Sequence, residues 1–89
     1  MLDLKTNTAG KIKVLIVDDE KSLGIGIKRL LEKEGYEARF AVNGSEGIKY
    51  GTGEEFDLAI IDLKMPDIDG IIVLEKILDK FPNTVCFIA

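Results

Sequence analysis

The segment Val14–Glu20, with the sequence VLIVDDE, decides the fold because it joins four apolar residues directly to three carboxylates. A short, continuous apolar run rich in β-branched residues is typical of a strand that is covered on both faces of a sheet. Charge beside such a strand is costly unless something compensates it. The segment therefore predicts a buried parallel strand with an acidic site at its carboxyl end.

Three further segments predict strands. Leu58–Ile61 and Val85–Ile88 are wholly apolar, like the first strand. Tyr36–Val42 alternates between two sides, which is typical of a half-exposed strand near a sheet edge. Helical patterns separate the strands, so the order is β-α-β-α-β-α-β. This alternation predicts an α/β fold with a parallel sheet, right-handed crossovers and helices on both faces.

Two of the helices are predicted from apolar residues spaced three or four positions apart. The apolar face of the first helix is formed by Leu23, Ile27, Leu30 and Leu31. The face of the last is formed by Leu74, Ile77, Leu78 and Phe81, with Pro82 as the stop. Between them, residues 43–51 (NGSEGIKYG) predict a turn followed by a short helix of low intrinsic propensity.

Length and composition predict one small globular domain. The 89 residues are 46% apolar and 31% charged, and the net charge of −4 argues against a nucleic-acid-binding surface and mildly against anionic membranes. No apolar run is long enough to span a bilayer. Residues 1–12 are interpreted as a flexible polar lead-in and not as a signal peptide.

The cysteine and histidine content limits the kinds of functional site that the chain can form. Cys86 is the single cysteine, so no intrachain disulfide can form, which fits a reducing compartment and a cytoplasmic location. Because Cys86 lies in an apolar run, we expect a small buried hydrophobe and not a reactive thiol. The chain has no histidine, which excludes a histidine metal site and Ser–His catalysis within it.

Carboxylates follow two of the predicted strands. Asp18 and Asp19 end the first strand and Asp62 ends the third. If these strands are neighbours, the three side chains converge at one edge of the sheet, where sites form in such folds. Like charges repel there, and a hard cation such as Mg²⁺, which prefers oxygen ligands, would relieve the repulsion. The alternative is coincidence, since single acidic residues at strand ends are often helix caps or solvated turn groups.

Three other acidic residues receive such simpler interpretations. Asp69 directly precedes Gly70 and a helix, so it is predicted to be an N-cap. Asp67 is predicted to be a solvated loop residue. Glu20 is expected only to favour the dipole of the first helix.

The two segments VLIVDDE and FDLAIIDLKMPDIDG (residues 56–70) together resemble the receiver domain of two-component response regulators. The resemblance covers about residues 13–89, and its motif set is an acidic pair after the first strand and D-x-x-M-P-x-x-D-G after the third. It implies a flavodoxin-like, doubly wound parallel sheet with strand order 2-1-3-4-5. In this chain the sheet is expected to end after the fourth strand.

The resemblance also implies a role for each site residue. Asp62 would accept a phosphoryl group in a Mg²⁺-dependent reaction, and the donor would be a phosphohistidine on a sensor histidine kinase or phosphotransfer protein. Mg²⁺ would be held by Asp19 and Asp62 directly, by Asp18 mainly through water and by the backbone carbonyl of Lys64. The loop after Asp62 would be shaped by Met65, Pro66 and Gly70. Such a domain is a signalling phosphoacceptor and not itself an enzyme.

The chain departs from the family pattern at its C-terminal end. Receiver domains normally contact the phosphoryl group with a Ser or Thr at the end of the fourth strand and a Lys at the end of the fifth, and no residue here matches either motif. We therefore expect an incomplete receiver domain over residues 13–89. Thr84–Ala89 would form an uncharged apolar edge without a lysine, proline or bulge, which predicts self-association through the fourth strand.

Three other functions are weighed against this interpretation. The chain could be a half-domain that acts only as a self-associating interaction module. It could be an aspartyl-phosphate hydrolase of the haloacid dehalogenase type, although that family needs D-x-D where this chain has Asp18, Asp19 and Glu20. It could be a flavodoxin-like flavin binder, although the same three carboxylates would repel a flavin phosphate.

Overall fold

The computed structural model describes residues 10–89 and confirms the predicted order of elements. The strands are β1 (Lys13–Val17), β2 (Glu37–Ala41), β3 (Leu58–Ile61) and β4 (Val85–Ile88). The helices are α1 (Lys21–Lys33), α2 (Gly44–Gly53) and α3 (Gly70–Lys80). Most of the predicted lead-in, residues 1–12, lies outside the described residues.

The four strands form one parallel sheet in the order β2-β1-β3-β4. Val17, the last residue of β1, pairs with Ala41 of β2 and with Ile61 of β3. The carboxyl ends of these three strands therefore meet at one edge. The order confirms the predicted flavodoxin-like, doubly wound sheet and the neighbouring positions of the first and third strands.

The apolar run of β1 is buried on both faces, as its composition predicts. Val14 and Ile16 pack beneath α1, whereas Leu15 and Val17 belong to the core under α2 and α3. Because successive side chains of a strand point to opposite faces, one short run supplies both cores. β1 is thereby fixed at the centre of the sheet, and the two acidic residues that follow it are fixed at the sheet's edge.

The predicted apolar face of α1 is partly wrong. Ile27 and Leu31 pack against the core, but Leu23 is 47% exposed and Leu30 is 67% exposed. The reason lies in Gly24, where an added Cβ would come within 2.0 Å of the Phe40 ring. The glycine lets the ring lie against the helix, which sets the rotation of α1 and turns Leu30 outward.

The predicted stripe of α3 is only partly right, since Phe81 lies just beyond the end of the helix. Ile77 is buried as expected, but the other fully buried side chain is Val73 and not one of the predicted leucines. Leu74 only packs partly against the same core. Helix α3 ends at Lys80, two residues before Pro82, as predicted.

Strand β4 forms an edge of the sheet within residues 10–89, because it pairs only with β3. Val85 is 46% exposed and Phe87 is 55% exposed. Cys86 is half-buried against the core, and burial raises the pKa of its thiol, which fits the predicted packing role. No helix within the described part of the chain is both long and apolar enough to cross a bilayer.

Candidate functional site

Three carboxylates converge at the carboxyl end of the sheet. One oxygen from each of Asp18, Asp19 and Asp62 lies within 4.8 Å of the others. Asp18 and Asp62 are half-buried, whereas Asp19 is exposed. The predicted meeting of the three side chains therefore occurs, and it brings together groups that repel one another when ionised.

Main-chain hydrogen bonds hold two of these residues in place. The Asp62 N–H donates to the Val17 carbonyl at 2.8 Å, and the Asp18 N–H donates to the Ala41 carbonyl at 3.1 Å. Both bonds extend the ladder of the sheet by one residue past the strand ends. The site is therefore built on the rigid sheet itself, which is where precise placement of charged groups is most easily achieved.

The segment after β3, residues 62–69, is called here the Asp62 loop. At its end the Gly70 N–H donates to the Leu63 carbonyl at 2.8 Å, and a Cβ added at Gly70 would lie 2.2 Å from the Asp62 carbonyl oxygen. The loop therefore returns so closely that only glycine fits. Met65, within the loop, is buried in the hydrophobic core.

The predicted ligand role of the Lys64 carbonyl stays a prediction. The Lys64 N–H donates to Asp62 Oδ1 at 3.3 Å, and the side chain is exposed. The backbone of Lys64 thus lies beside the Asp62 carboxylate. Within residues 10–89, the Lys64 ammonium group forms no ion pair with the three carboxylates.

The acidic residues near the helix starts have different roles. Asp69 accepts a hydrogen bond from the Ile71 N–H at 2.8 Å, which confirms it as the N-cap of α3. Asp18 accepts one from the Glu20 N–H at 2.8 Å. Glu20 occupies the N-cap position of α1 without a side-chain capping bond. Its contribution is limited to the charge it places near the helix N-terminus.

Asp67 is an exposed loop residue, as predicted, but it has a further role that the prediction missed. Its carboxylate accepts hydrogen bonds from the Ser45 N–H at 2.9 Å and the Gly44 N–H at 3.0 Å. These two bonds, the one from Ser45 first, lower the pKa of Asp67. The partners lie 22 and 23 residues away, so no local sequence pattern could have revealed the contact.

Residues 14–89 match the family model of the response regulator receiver domain. The chain belongs to this family. Among curated relatives, sporulation initiation phosphotransferase F of Bacillus subtilis (strain 168) is 39% identical over 70 residues. That alignment covers 76% of this chain and 56% of the relative. Transcriptional regulatory protein ResD of the same organism is 41% identical over 68 residues, covering 76% of this chain and 28% of the relative.

Solved receiver structures have the same fold. The receiver domain protein (CheY-like) from Methanospirillum hungatei JF-1 superposes with a TM-score of 0.84 at 36% identity, covering 88% of this chain and 62% of that one. A response regulator from Burkholderia pseudomallei superposes with a TM-score of 0.82 at 26% identity, covering 88% and 46%. That structure contains a phosphorylated aspartic acid, a calcium ion and citrate. The 89 residues thus span a part of each of these relatives.

Proposed function

We propose that this receiver domain accepts a phosphoryl group on Asp62 in a Mg²⁺-dependent reaction and so carries a signal. The convergence of Asp18, Asp19 and Asp62 within 4.8 Å is the observation that carries the proposal. The Burkholderia pseudomallei relative supports it, because that receiver fold holds both a phosphorylated aspartate and a divalent cation.

The residues present fit a divalent cation. Mg²⁺ takes oxygen ligands, usually one or two carboxylates, and keeps several waters. Asp19 and Asp62 would bind it directly, Asp18 mainly through water, and the Lys64 carbonyl would be a further ligand. When bound, the ion supplies positive charge that offsets the carboxylates and the phosphoryl oxygens.

We assign the acceptor role to Asp62 because the segment that follows β3 resembles the D-x-x-M-P-x-x-D-G motif of receiver domains. The Asp62 carboxylate oxygen would attack the phosphorus of the donor, forming an acyl phosphate as the bond to the donor's leaving group breaks. The ladder bond from its N–H to the Val17 carbonyl fixes the main chain at Asp62, which favours a constant position of the carboxylate in the site. Asp18 and Asp19 would not be modified, because their role is to hold the charge balance of the site.

A phosphohistidine donor must come from outside these 89 residues, which contain no histidine. We propose that a sensor histidine kinase or a phosphotransfer protein supplies it. The single cysteine and the family membership support a cytoplasmic location as part of the same proposal. The acidic net charge supports a domain that makes no direct contact with nucleic acid.

The direct test is to locate the phosphoryl group. The protein would be incubated with a small acyl phosphate and Mg²⁺, stabilised by rapid acid quenching, and mapped by peptide mass spectrometry. We expect one phosphoryl group per chain, on the peptide that contains Asp62. Modification of Asp18 or Asp19 with Asp62 untouched would refute the assignment.

Mg²⁺ binding can be tested apart from phosphorylation. We expect Asp19→Asn to weaken Mg²⁺ binding at least about tenfold, since loss of an outer-shell partner alone typically has that cost. Isothermal titration of the wild type and the variant measures the difference. Asp79→Asn removes the same charge from an exposed position on α3 and should leave the affinity unchanged. Equal affinities for wild type and Asp19→Asn would place the cation elsewhere.

A second candidate function, self-association, is favoured by the edge strand. Val85 and Phe87 are exposed on β4, whose outer backbone edge pairs with no strand in residues 10–89. We expect the 89-residue chain to associate through this edge, because an uncharged apolar edge is a template for strand pairing. Light scattering over a dilution series should show mass falling toward the monomer, and Phe87→Lys should shift the transition to higher concentration. A monomer at every concentration would contradict this candidate.

A further inference from the structure

The N-terminus of α2 is capped from another part of the chain. The first backbone N–H groups of a helix lack partners within the helix. Here Gly44 and Ser45, the first two helical residues, donate to the two oxygens of Asp67 at 3.0 and 2.9 Å. The next N–H, of Glu46, donates to the Asn43 side chain at 2.8 Å. Two of the three capping bonds therefore come from the Asp62 loop.

The packing around this contact is tight at two points along one face of α2. A Cβ added at Gly44 would lie 2.7 Å from the Ile68 Cβ, so the loop rests directly on the first residue of the helix. One turn later, a Cβ added at Gly47 would lie 2.7 Å from a methyl group of Val17. Val17 is the residue before Asp18. Helix α2 thus connects the loop to the strand end that carries the acidic pair.

We infer that Asp67 is a positioning residue for the Asp62 site, an inference that rests on the proposed function. Other fixed points of the Asp62 loop are the bond from the Leu63 N–H to the Ala89 carbonyl after β4, the bond from Gly70 to Leu63, and the Asp69 cap at the start of α3. Asp67 ties the loop to α2 instead. Lys64 lies between Asp62 and Asp67 along the chain. The contact of Asp67 with α2 therefore sets the position of the Lys64 backbone relative to the acidic pair after β1.

A carboxylate suits this task better than an amide does. Its two oxygens accept from two N–H groups at once, whereas the Asn side chain offers only one oxygen. Hydrogen bonds to an ionised acceptor are about twice as strong as neutral ones, and negative charge at a helix N-terminus is favourable. An amide at this position should therefore keep part of the contact, and a methyl group should keep none.

The test measures Mg²⁺ affinity and backbone amide exchange in the whole chain for the wild type, Asp67→Asn and Asp67→Ala. We expect Asp67→Ala to weaken Mg²⁺ binding about tenfold, as losses of outer-shell support typically do, with a smaller effect for Asp67→Asn. The amides of Gly44, Ser45 and Lys64 should exchange faster in the alanine variant. Asp79→Asn, which removes an equal charge from an exposed position on α3, should change neither quantity.

A second perturbation approaches the contact from the helix side. Gly44→Ala leaves every carboxylate in place but pushes against Ile68, so it should also weaken Mg²⁺ binding. If Asp67→Ala speeds exchange at Gly44 and Ser45 while Mg²⁺ affinity and the phosphorylation rate equal those of the wild type, Asp67 is only a helix cap and the inference is overturned.

The same measurements distinguish failure of the Asp67 positioning role from failure of the proposed function. If the wild type binds Mg²⁺ but accepts no phosphoryl group, the proposed acceptor role of Asp62 fails, and the affinities of the Asp67 variants still decide the positioning role. If the wild type binds no Mg²⁺, both are overturned. If the wild type is phosphorylated and the Asp67 variants match it in Mg²⁺ affinity and rate, the inference alone fails.

Discussion

Asp62→Asn is expected to abolish phosphoryl transfer to this protein. The amide has nearly the shape of the carboxylate but carries no negative charge, so it cannot form the acyl phosphate. Because Asp62 is half-buried and its main chain is held by the ladder bond to Val17, the variant should fold as the wild type does. The measurement is incorporation of phosphoryl group from a small acyl phosphate at saturating Mg²⁺, followed by intact mass.

Variants at other aspartates distinguish the loss of the phosphoryl acceptor from the loss of one negative charge. Asp79→Asn should incorporate phosphoryl group at the wild-type rate, because that residue is exposed on α3. Asp18→Asn and Asp19→Asn should react slowly at low Mg²⁺ and recover in part as Mg²⁺ is raised, since they retain the acceptor. Undiminished incorporation in Asp62→Asn would show that another group is the acceptor.

The acidic site could be predicted from the sequence because each step depends on short-range patterns. Composition alone indicates that two segments are buried strands, Val14–Val17 and Leu58–Ile61. A carboxylate directly follows each of them. In a parallel sheet all carboxyl ends lie at one edge, so the convergence needs only the additional fact that β1 and β3 are neighbours. The resemblance to receiver domains supplied that order.

Contacts between distant segments could not be predicted in the same way. The rotation of α1 depends on the Phe40 ring lying against Gly24, and helical spacing alone made Leu30 look buried. The bonds from Gly44 and Ser45 to Asp67 join segments more than 20 residues apart. In both cases a glycine marks the contact. A sequence shows that a glycine is present, but not whether a neighbour fills the space left by its missing Cβ.

Gly70 is such a case at the site itself, and Gly70→Ala is expected to destabilise the protein strongly. The added Cβ would lie 2.2 Å from the Asp62 carbonyl oxygen and 2.9 Å from the Leu63 Cα. Both are backbone atoms, so no side-chain rotation relieves the overlap, and the Asp62 loop or the start of α3 must shift. Overpacking typically costs about 1–3 kcal/mol of unfolding free energy, and we expect this overlap with backbone atoms to lie at the upper end of that range.

Urea denaturation followed by circular dichroism, at a concentration below any self-association, measures the change in unfolding free energy. Gly26→Ala provides the matched control, because nothing lies within 4 Å of a Cβ added there, on the exposed side of α1. That substitution should stabilise the protein by roughly 0.5–1 kcal/mol, since alanine is the better helix former. If Gly70→Ala lowers the unfolding free energy while Gly26→Ala raises it, the effect at Gly70 comes from the close return of the Asp62 loop. Equal stability of Gly70→Ala and the wild type would contradict the conclusion that the close return of the loop requires glycine.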